Sequence, residues 1–317
     1  CATSVCTIPM AILARETKKV RLLCLGMPIA NRMDAVRVAE EYAMLDVISR
    51  GRLEMGFVKG APFEVWPANS NPATLMERFW EAHDLILKAL TTHDGPFNWE
   101  GEHFHYRQVN VWPRPYQSPH PPVWMTVMSP GSAAEAGSRG YSIASLNTGY
   151  LRTPEIFEGY RQAAADAGRE APKERFGYLA IVGVGDTDEE GKRRADQILD
   201  YSRTTPRAAS QFWFPPGYTS NEITAQMLHN RGPNMIPLRN GGQFEMQFGT
   251  VDEFINAGVA FAGNPDTVFE QIKEFHQHVG GLGQLLMMGQ GGHISHHDTV
   301  SNLQLFSKEV LPRLGDL

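Results

Sequence analysis

Residues 34–60, DAVRVAEEYAMLDVISRGRLEMGFVKG, set a helix directly before a strand with almost no chain between them. Asp34 suits a helix cap, because its carboxylate accepts from the free N–H groups of a first turn. Val36, Ala39, Ala43 and Val47 then recur at helical spacing, backed by Met44, Leu45 and Ile48, and predict one apolar stripe. Ser49-Arg50-Gly51 stops the helix, with the glycine suited to a left-handed residue. Leu53 to Val58 follows as a short apolar strand closed by Lys59-Gly60. A helix feeding a buried strand is the repeating half of a parallel α/β sheet, and in barrels of that kind the loops after strand C-termini build the active site. Lys59 falls there.

The rest of the chain repeats the pattern. Ser4 to Thr17 reads as helix and Val20 to Leu25 as a buried strand ending in Gly26-Met27-Pro28. Pro72 to Leu90 is a long helix with Leu75, Phe79, Ala82, Ile86 and Ala89 on one face, and FNWEGEHFHY alternates like a hairpin. Strands at Val123–Met128, Ser142–Leu146 and Gly177–Val184 alternate with helices at Ser132–Gly137, Thr153–Gly168 and Asp188–Tyr201. Thr204 to Gly258 loses periodicity and is rich in Pro, Gly and aromatics, which suits a long functional excursion. A helix over Pro265–Gly280, a strand over Gln284–Met288 and a helix over Thr299–Leu314 close the chain.

Six strands of continuous apolar character, joined by helices, imply a parallel sheet buried on both faces. Six do not close an eight-stranded barrel, and an unclosed one exposes two strand edges. An open Rossmann-like sheet is the alternative, although no G-x-G-x-x-G follows any strand. Net charge is −6, with both signs spread along the chain and no basic block, so nucleic acid is not an expected partner. No apolar run reaches the roughly 18 residues of a membrane span. Three cysteines, Cys1, Cys6 and Cys24, without metal-like pairing fit a reducing cytoplasm. No signal segment is visible at the start.

VRVAEEYAMLDVISRGRLEMGFVKG, together with FNWEGEHFHYRQVNVWPRPYQSPHPPVWMTVMS, FAGNPDTVFEQIKEF and LFSKEVLPRL, resembles the luciferase-like flavin monooxygenases. These match in the same order over nearly the whole chain. The resemblance implies a (β/α)8 TIM-like barrel over residues 1–317 as one domain, with 204–258 as an insertion or lid before the last strand. It sets Cys1 within what would be the second helix, so two strand–helix units, roughly 60 residues at about 30 each, are expected to be missing from this sequence. It further implies reduced FMN delivered by a partner flavin reductase, a homodimer, and a catalytic histidine upstream of Cys1, which leaves the catalytic residue here unassigned. A deazaflavin (F420)-dependent oxidoreductase and a non-catalytic flavin-binding relative are the competing implications.

By that resemblance Lys59, Ser129 and Ser132 would hold the cofactor phosphate, and Gly26 and Met27 would back the ring through a bulge, often with a non-proline cis peptide. The residues agree with this but also allow plainer readings. Lys59 could be a solvated surface lysine. Ser129-Pro130-Gly131-Ser132 opens a helix whose free N–H groups make an anion site, while S-x-x-E to Glu135 makes Ser132 a capping-box residue. Phe212, Trp213, Phe214 and Tyr218 suit an apolar lid, or a packing cluster under a long loop, and imply a small hydrophobic substrate. His293, His296, His297 and Asp298 share the last loop, but no further ligand is spaced to finish a metal site. His293 is therefore read as an active-site wall, and no metal is expected.

Overall fold

Asp34 caps its helix as its chemistry requires. In the computed structural model, which describes residues 5–204, 215–229, 235–315 and 317, the Asp34 carboxylate accepts the Arg37 N–H at 3.1 Å. The helix ends through Arg50 at φ 56° and Gly51 at φ 79°, so two residues share the left-handed exit. Contacts group the chain into two compact units, Cys1–Thr126 with Ala208–Thr224, and Val127–Arg207 with Ala225–Leu317.

The first unit runs α1 (Thr7–Glu16), β1 (Leu22–Pro28), α2 (Ala35–Ser49), β2 (Leu53–Val58), α3 (Leu75–Thr91), a hairpin of β3 (Phe97–Glu100) and β4 (His105–Val109), and β5 (Val123–Val127). β1 pairs with β2, and β2 with β5, all parallel. The apolar stripe of α2 differs from the one expected. Ala35, Val38, Ala39, Tyr42, Ala43 and Ser49 are buried along with Leu45 and Asp46, whereas Met44, Val47 and Ile48 are exposed. Two buried polar groups shift the stripe. Tyr42 Oη donates to the Gly56 carbonyl at 2.9 Å, and the Asp46 carboxylate accepts both the backbone N–H and the side-chain amide of Gln117 at 2.8 Å. A buried polar group that finds its partners is tolerated in a core, and hydropathy alone cannot anticipate that.

The hairpin anticipated in FNWEGEHFHY forms as β3–β4. It is fastened by Glu81 of α3, whose carboxylate accepts from Trp99 Nε1 at 3.0 Å and from the N–H groups of Glu102, His103 and Phe104 at 3.0, 2.9 and 3.0 Å. Burial works to raise the Glu81 pKa, but these four donors outweigh it and hold the carboxyl below its ordinary range.

The second unit runs α4 (Pro130–Arg139), β6 (Ser142–Leu146), α5 (Gly149–Asp166), β7 (Phe176–Val184) and α6 (Asp188–Thr204). After α7 (Asn221–His229) come the hairpin β8 (Met235–Pro237) and β9 (Gln243–Glu245), α8 (Val251–Asn256), β10 (Ala260–Gly263), α9 (Pro265–His278) and β11 (Gln284–Met288). The chain closes with α10 (His296–Leu305), a π-helical turn and α11 (Leu311–Leu314). β7 pairs in parallel with β6, β10 and β11.

Among the described residues β10 is a seventh parallel strand, one more than the six read from the sequence. Its four residues are too few to show a period, and they directly follow the irregular excursion. Within that excursion the described residues are partly ordered into α7, β8, β9 and α8. Ile236, Phe244 and Phe254 there join Ile181, Ile198 and Leu199 in one buried cluster. Among the described residues no helix is long and apolar enough to cross a membrane.

Candidate active site

In the first unit, chemistry gathers after the C-terminal ends of β1 and β2. The β1–β2 register runs Cys24 with Met55 and then Met27 with Phe57, so β1 carries one extra residue at Leu25-Gly26. This is a β-bulge. The only cis peptides among the described residues are Trp112-Pro113 and Ser118-Pro119, so the bulge is made with trans bonds. Met27 turns into the core, 1% exposed, while Gly26 is exposed with nothing within 4 Å of where a Cβ would stand. The bulge rests instead on Gly56 of β2, where a Cβ would lie 2.3 Å from Leu25 Cα and 2.5 Å from the Cys24 carbonyl oxygen.

Lys59 follows β2 and is not a solvated lysine. Its Nζ donates to the Tyr218 carbonyl at 3.1 Å and lies 3.6 Å from the Tyr218 ring centroid. Tyr218 Oη in turn donates to the Gly60 carbonyl at 2.6 Å. Two residues read separately from the sequence, one as a cofactor contact and one as lid, therefore meet. Burial pushes the Lys59 ammonium down from 10.5 to about 8, and among the described residues no carboxylate pairs with it. Burial pushes the Tyr218 phenol up to about 12.

Asn31 stands beside this pair. Among the described residues its Nδ2 and Oδ1 are both buried and without a partner, and a Cβ on Gly60 (φ 101°) would meet Nδ2 at 2.4 Å. An unsatisfied buried amide is costly and calls for an explanation such as a ligand. Nothing in the sequence pointed to Asn31. Gly56 did carry a signal, since an isolated glycine inside a strand marks a bulge or a close backbone approach.

In the second unit, Ser129 and Ser132 meet at the start of α4. The cap is Ser129 and not Ser132. Ser129 Oγ accepts the Ser132 N–H at 3.3 Å, and Ser132 Oγ accepts the Ser129 N–H at 3.2 Å. The helix begins three residues earlier than the S-x-x-E reading implied, because Pro130 is well placed at a first helical position where no N–H is needed. Glu135 instead pairs with Arg139 at 2.6 Å. Beyond β6, Asn147 (φ 53°) holds a buried Oδ1 without a partner among the described residues.

His293 is exposed, and its backbone N–H donates to the Gln197 carbonyl at 3.0 Å. Ser295 caps α10 by accepting the Asp298 N–H at 3.0 Å, and Asp298 pairs with Arg193 at 3.2 Å. Among the described residues, the group with ligand atoms close enough for a metal ion lies elsewhere, at Glu77, Glu102 and His103. Phe212, Trp213 and Phe214 lie outside the described residues.

Known proteins share both sequence and fold with this chain. It is 26% identical over 194 residues to the oxygenase component of a flavin-dependent trigonelline monooxygenase of Acinetobacter baylyi, a stretch covering 60% of this chain and 52% of that one. The chain thus spans about half the length of the curated relatives it matches first. Its fold is that of the oxygenating constituent of 3,6-diketocamphane monooxygenase from Pseudomonas putida, solved with FMN, at TM-score 0.71 and 22% identity over 96% of this chain and 83% of that one. The coenzyme F420-dependent tetrahydromethanopterin reductase of Methanopyrus kandleri also shares it, at TM-score 0.68 and 18% identity over 98% and 88%. The sequence pattern of one family, described as luciferase-like monooxygenase, matches residues 4–280. By that match the chain belongs to the luciferase-like monooxygenase family.

Proposed function

We propose that this chain is the oxygenase component of a flavin-dependent monooxygenase, which takes reduced FMN from a separate flavin reductase and uses O2 to oxidise a small hydrophobic organic molecule. Lys59 carries this reading. A half-buried cation with no carboxylate partner among the described residues is costly, and an anion such as a phosphate offsets that cost. Ser129 and Ser132, at the first turn of the ten-residue helix α4, form a second anion-binding feature in their own unit.

Asn31 offers an unused donor and acceptor to a polar heterocycle. Gly26 presents bare, exposed backbone at the bulge, against which a flat ring can lie. Tyr218 covers Lys59 and limits water around it. When bound, reduced FMN supplies the oxygen chemistry, while the chain holds and orients it. The flavin-dependent relative of Acinetobacter baylyi, itself an oxygenase component, supports a reductase partner.

A second reading, hydride transfer with F420 and no oxygen, is favoured by the fold shared with the Methanopyrus kandleri reductase. Anaerobic titration with reduced FMN, followed by O2 and candidate substrates, separates the two. The monooxygenase binds saturably and consumes oxygen with substrate. The F420 enzyme instead binds reduced F420 without oxygen uptake. A chain that binds either cofactor but turns over no substrate is the non-catalytic relative, and one that binds neither refutes the flavin site.

The working unit in this proposal is a homodimer. The packed helices α1 and α2 leave Ile12, Leu13, Met44 and Val47 exposed, an apolar surface of a kind that marks interfaces. Sedimentation should give twice the 35.3 kDa chain mass, and Val47→Asp should shift it to the monomer. A monomeric wild type would refute this assembly.

A further inference from the structure

A pair of thiols lies outside the proposed flavin contacts. Cys6 is the half-buried N-cap of α1, and Cys24 is buried in β1. Their sulfurs are 3.4 Å apart, with the Cys24 S–H donating to the Cys6 sulfur, and among the described residues neither is in a disulfide. The surroundings make the two unequal. The hydrogen bond from Cys24 draws the Cys6 thiol down to about 7, against burial and the nearby Glu41, with Arg32 assisting. That same bond and burial push Cys24 well up. Cys6, half-buried at the positive end of a helix, is thus the more acidic of the two sulfurs, and Cys24 is a protonated thiol held behind it.

We propose that Cys6 and Cys24 form a hydroperoxide-reactive site, with Cys6 as the nucleophile and Cys24 as the resolving thiol. The Cys6 thiolate attacks one peroxide oxygen and the O–O bond breaks. Cys6 becomes a sulfenic acid and hydroxide leaves, taking up a proton to form water. Cys24 sulfur then attacks the Cys6 sulfur, the S–O bond breaks, and the Cys24 proton joins the departing hydroxide as a second water. Two thiols and one hydrogen peroxide give one disulfide and two waters.

The sulfurs need to close by about 1.4 Å to reach a bond of about 2.05 Å. Cys24 is also the last residue in register before the bulge, so the disulfide would tie α1 to the strand segment that carries Leu25-Gly26. The chemistry stands apart from the flavin reading, since it needs only peroxide.

The test uses the full chain without flavin, treated with stoichiometric hydrogen peroxide and followed by intact mass and non-reducing peptide mapping. The wild type and Cys1→Ser are expected to lose about 2 Da, the two thiol hydrogens, and to yield a dithiothreitol-reversible Cys6–Cys24 cross-link. Near pH 7 the reaction should outrun free cysteine by roughly tenfold, because an ordinary thiol is only a few per cent thiolate there. Cys24→Ser should stop at a sulfenic acid that dimedone traps on Cys6, and Cys6→Ser should leave Cys24 unmodified. Persistence of both thiols under peroxide that oxidises free cysteine would overturn the proposal, as would a cross-link through Cys1. The wild type alone distinguishes these outcomes if Cys24→Ser folds poorly.

Discussion

Gly56→Ala is expected to destabilise the protein by about 3 kcal/mol, at the upper end of overpacking costs, and to weaken flavin binding with it. The new methyl group would lie 2.3 Å from Leu25 Cα and 2.5 Å from the Cys24 and Leu25 carbonyl oxygens. These are backbone atoms and cannot swing aside as a side-chain end could. β2 cannot retreat either, because the Gly56 carbonyl accepts the buried Tyr42 hydroxyl at 2.9 Å. The bulge at Leu25-Gly26 would therefore have to move or flatten. Gly26→Ala is the control. Open space surrounds its added Cβ, so its unfolding midpoint should match the wild type while affinity for reduced FMN falls. Urea unfolding of both variants reads the contrast. A Gly56→Ala midpoint equal to wild type would mean that the two strands do not hold the bulge in place.

Lys59→Met should separate stability from function. Burial lowers the folded Lys59 pKa to about 8 from 10.5, so the folded protein holds this proton less tightly than the unfolded chain. Between about pH 8 and 10.5 the unfolded state binds more protons, and stability contributed by this group rises as pH rises through that window. Below it, the buried charge is a standing cost.

Replacing the ammonium by an apolar chain of similar length should therefore stabilise the ligand-free protein near pH 7 by about 1–2 kcal/mol, after allowing for partial solvent access and the retained contact with the Tyr218 ring. The same variant should bind reduced FMN roughly 10- to 100-fold more weakly, the scale of one charge-assisted contact. Wild-type affinity should fall above about pH 8 as the cation is lost. A variant that is both less stable and equally avid would return Lys59 to a structural role. Proteins often carry such a cost at a functional site.

Several features were legible in residue order because their physics is local. The Asp34 cap involves atoms three residues apart. Lys59 was placed at a strand end by the apolar run before it, and the β3–β4 hairpin by its own alternation. The serine pair at α4 was legible as a helix cap, but its register was not. Both serines satisfy a capping rule, and the preference of Pro130 for the first helical position decided between them. Four residues of β10 were too few to show a period, and the buried stripe of α2 turned on Tyr42 and Asp46, whose partners Gly56 and Gln117 lie outside the helix.

Residue order alone carries a parallel α/β chain with a cation after one strand, a hydroxyl-rich helix start after another, and the pattern of the luciferase-like monooxygenase family. Folding alone sets Lys59 half-buried under Tyr218, 159 residues away. It also leaves the Asn31 amide without a partner among the described residues, makes Gly56 the residue that admits the bulge, and turns Cys6 toward Cys24. Each is a contact between distant segments, and its energy depends on burial and on which polar groups are left unpaired. Neither quantity exists until the chain has closed on itself.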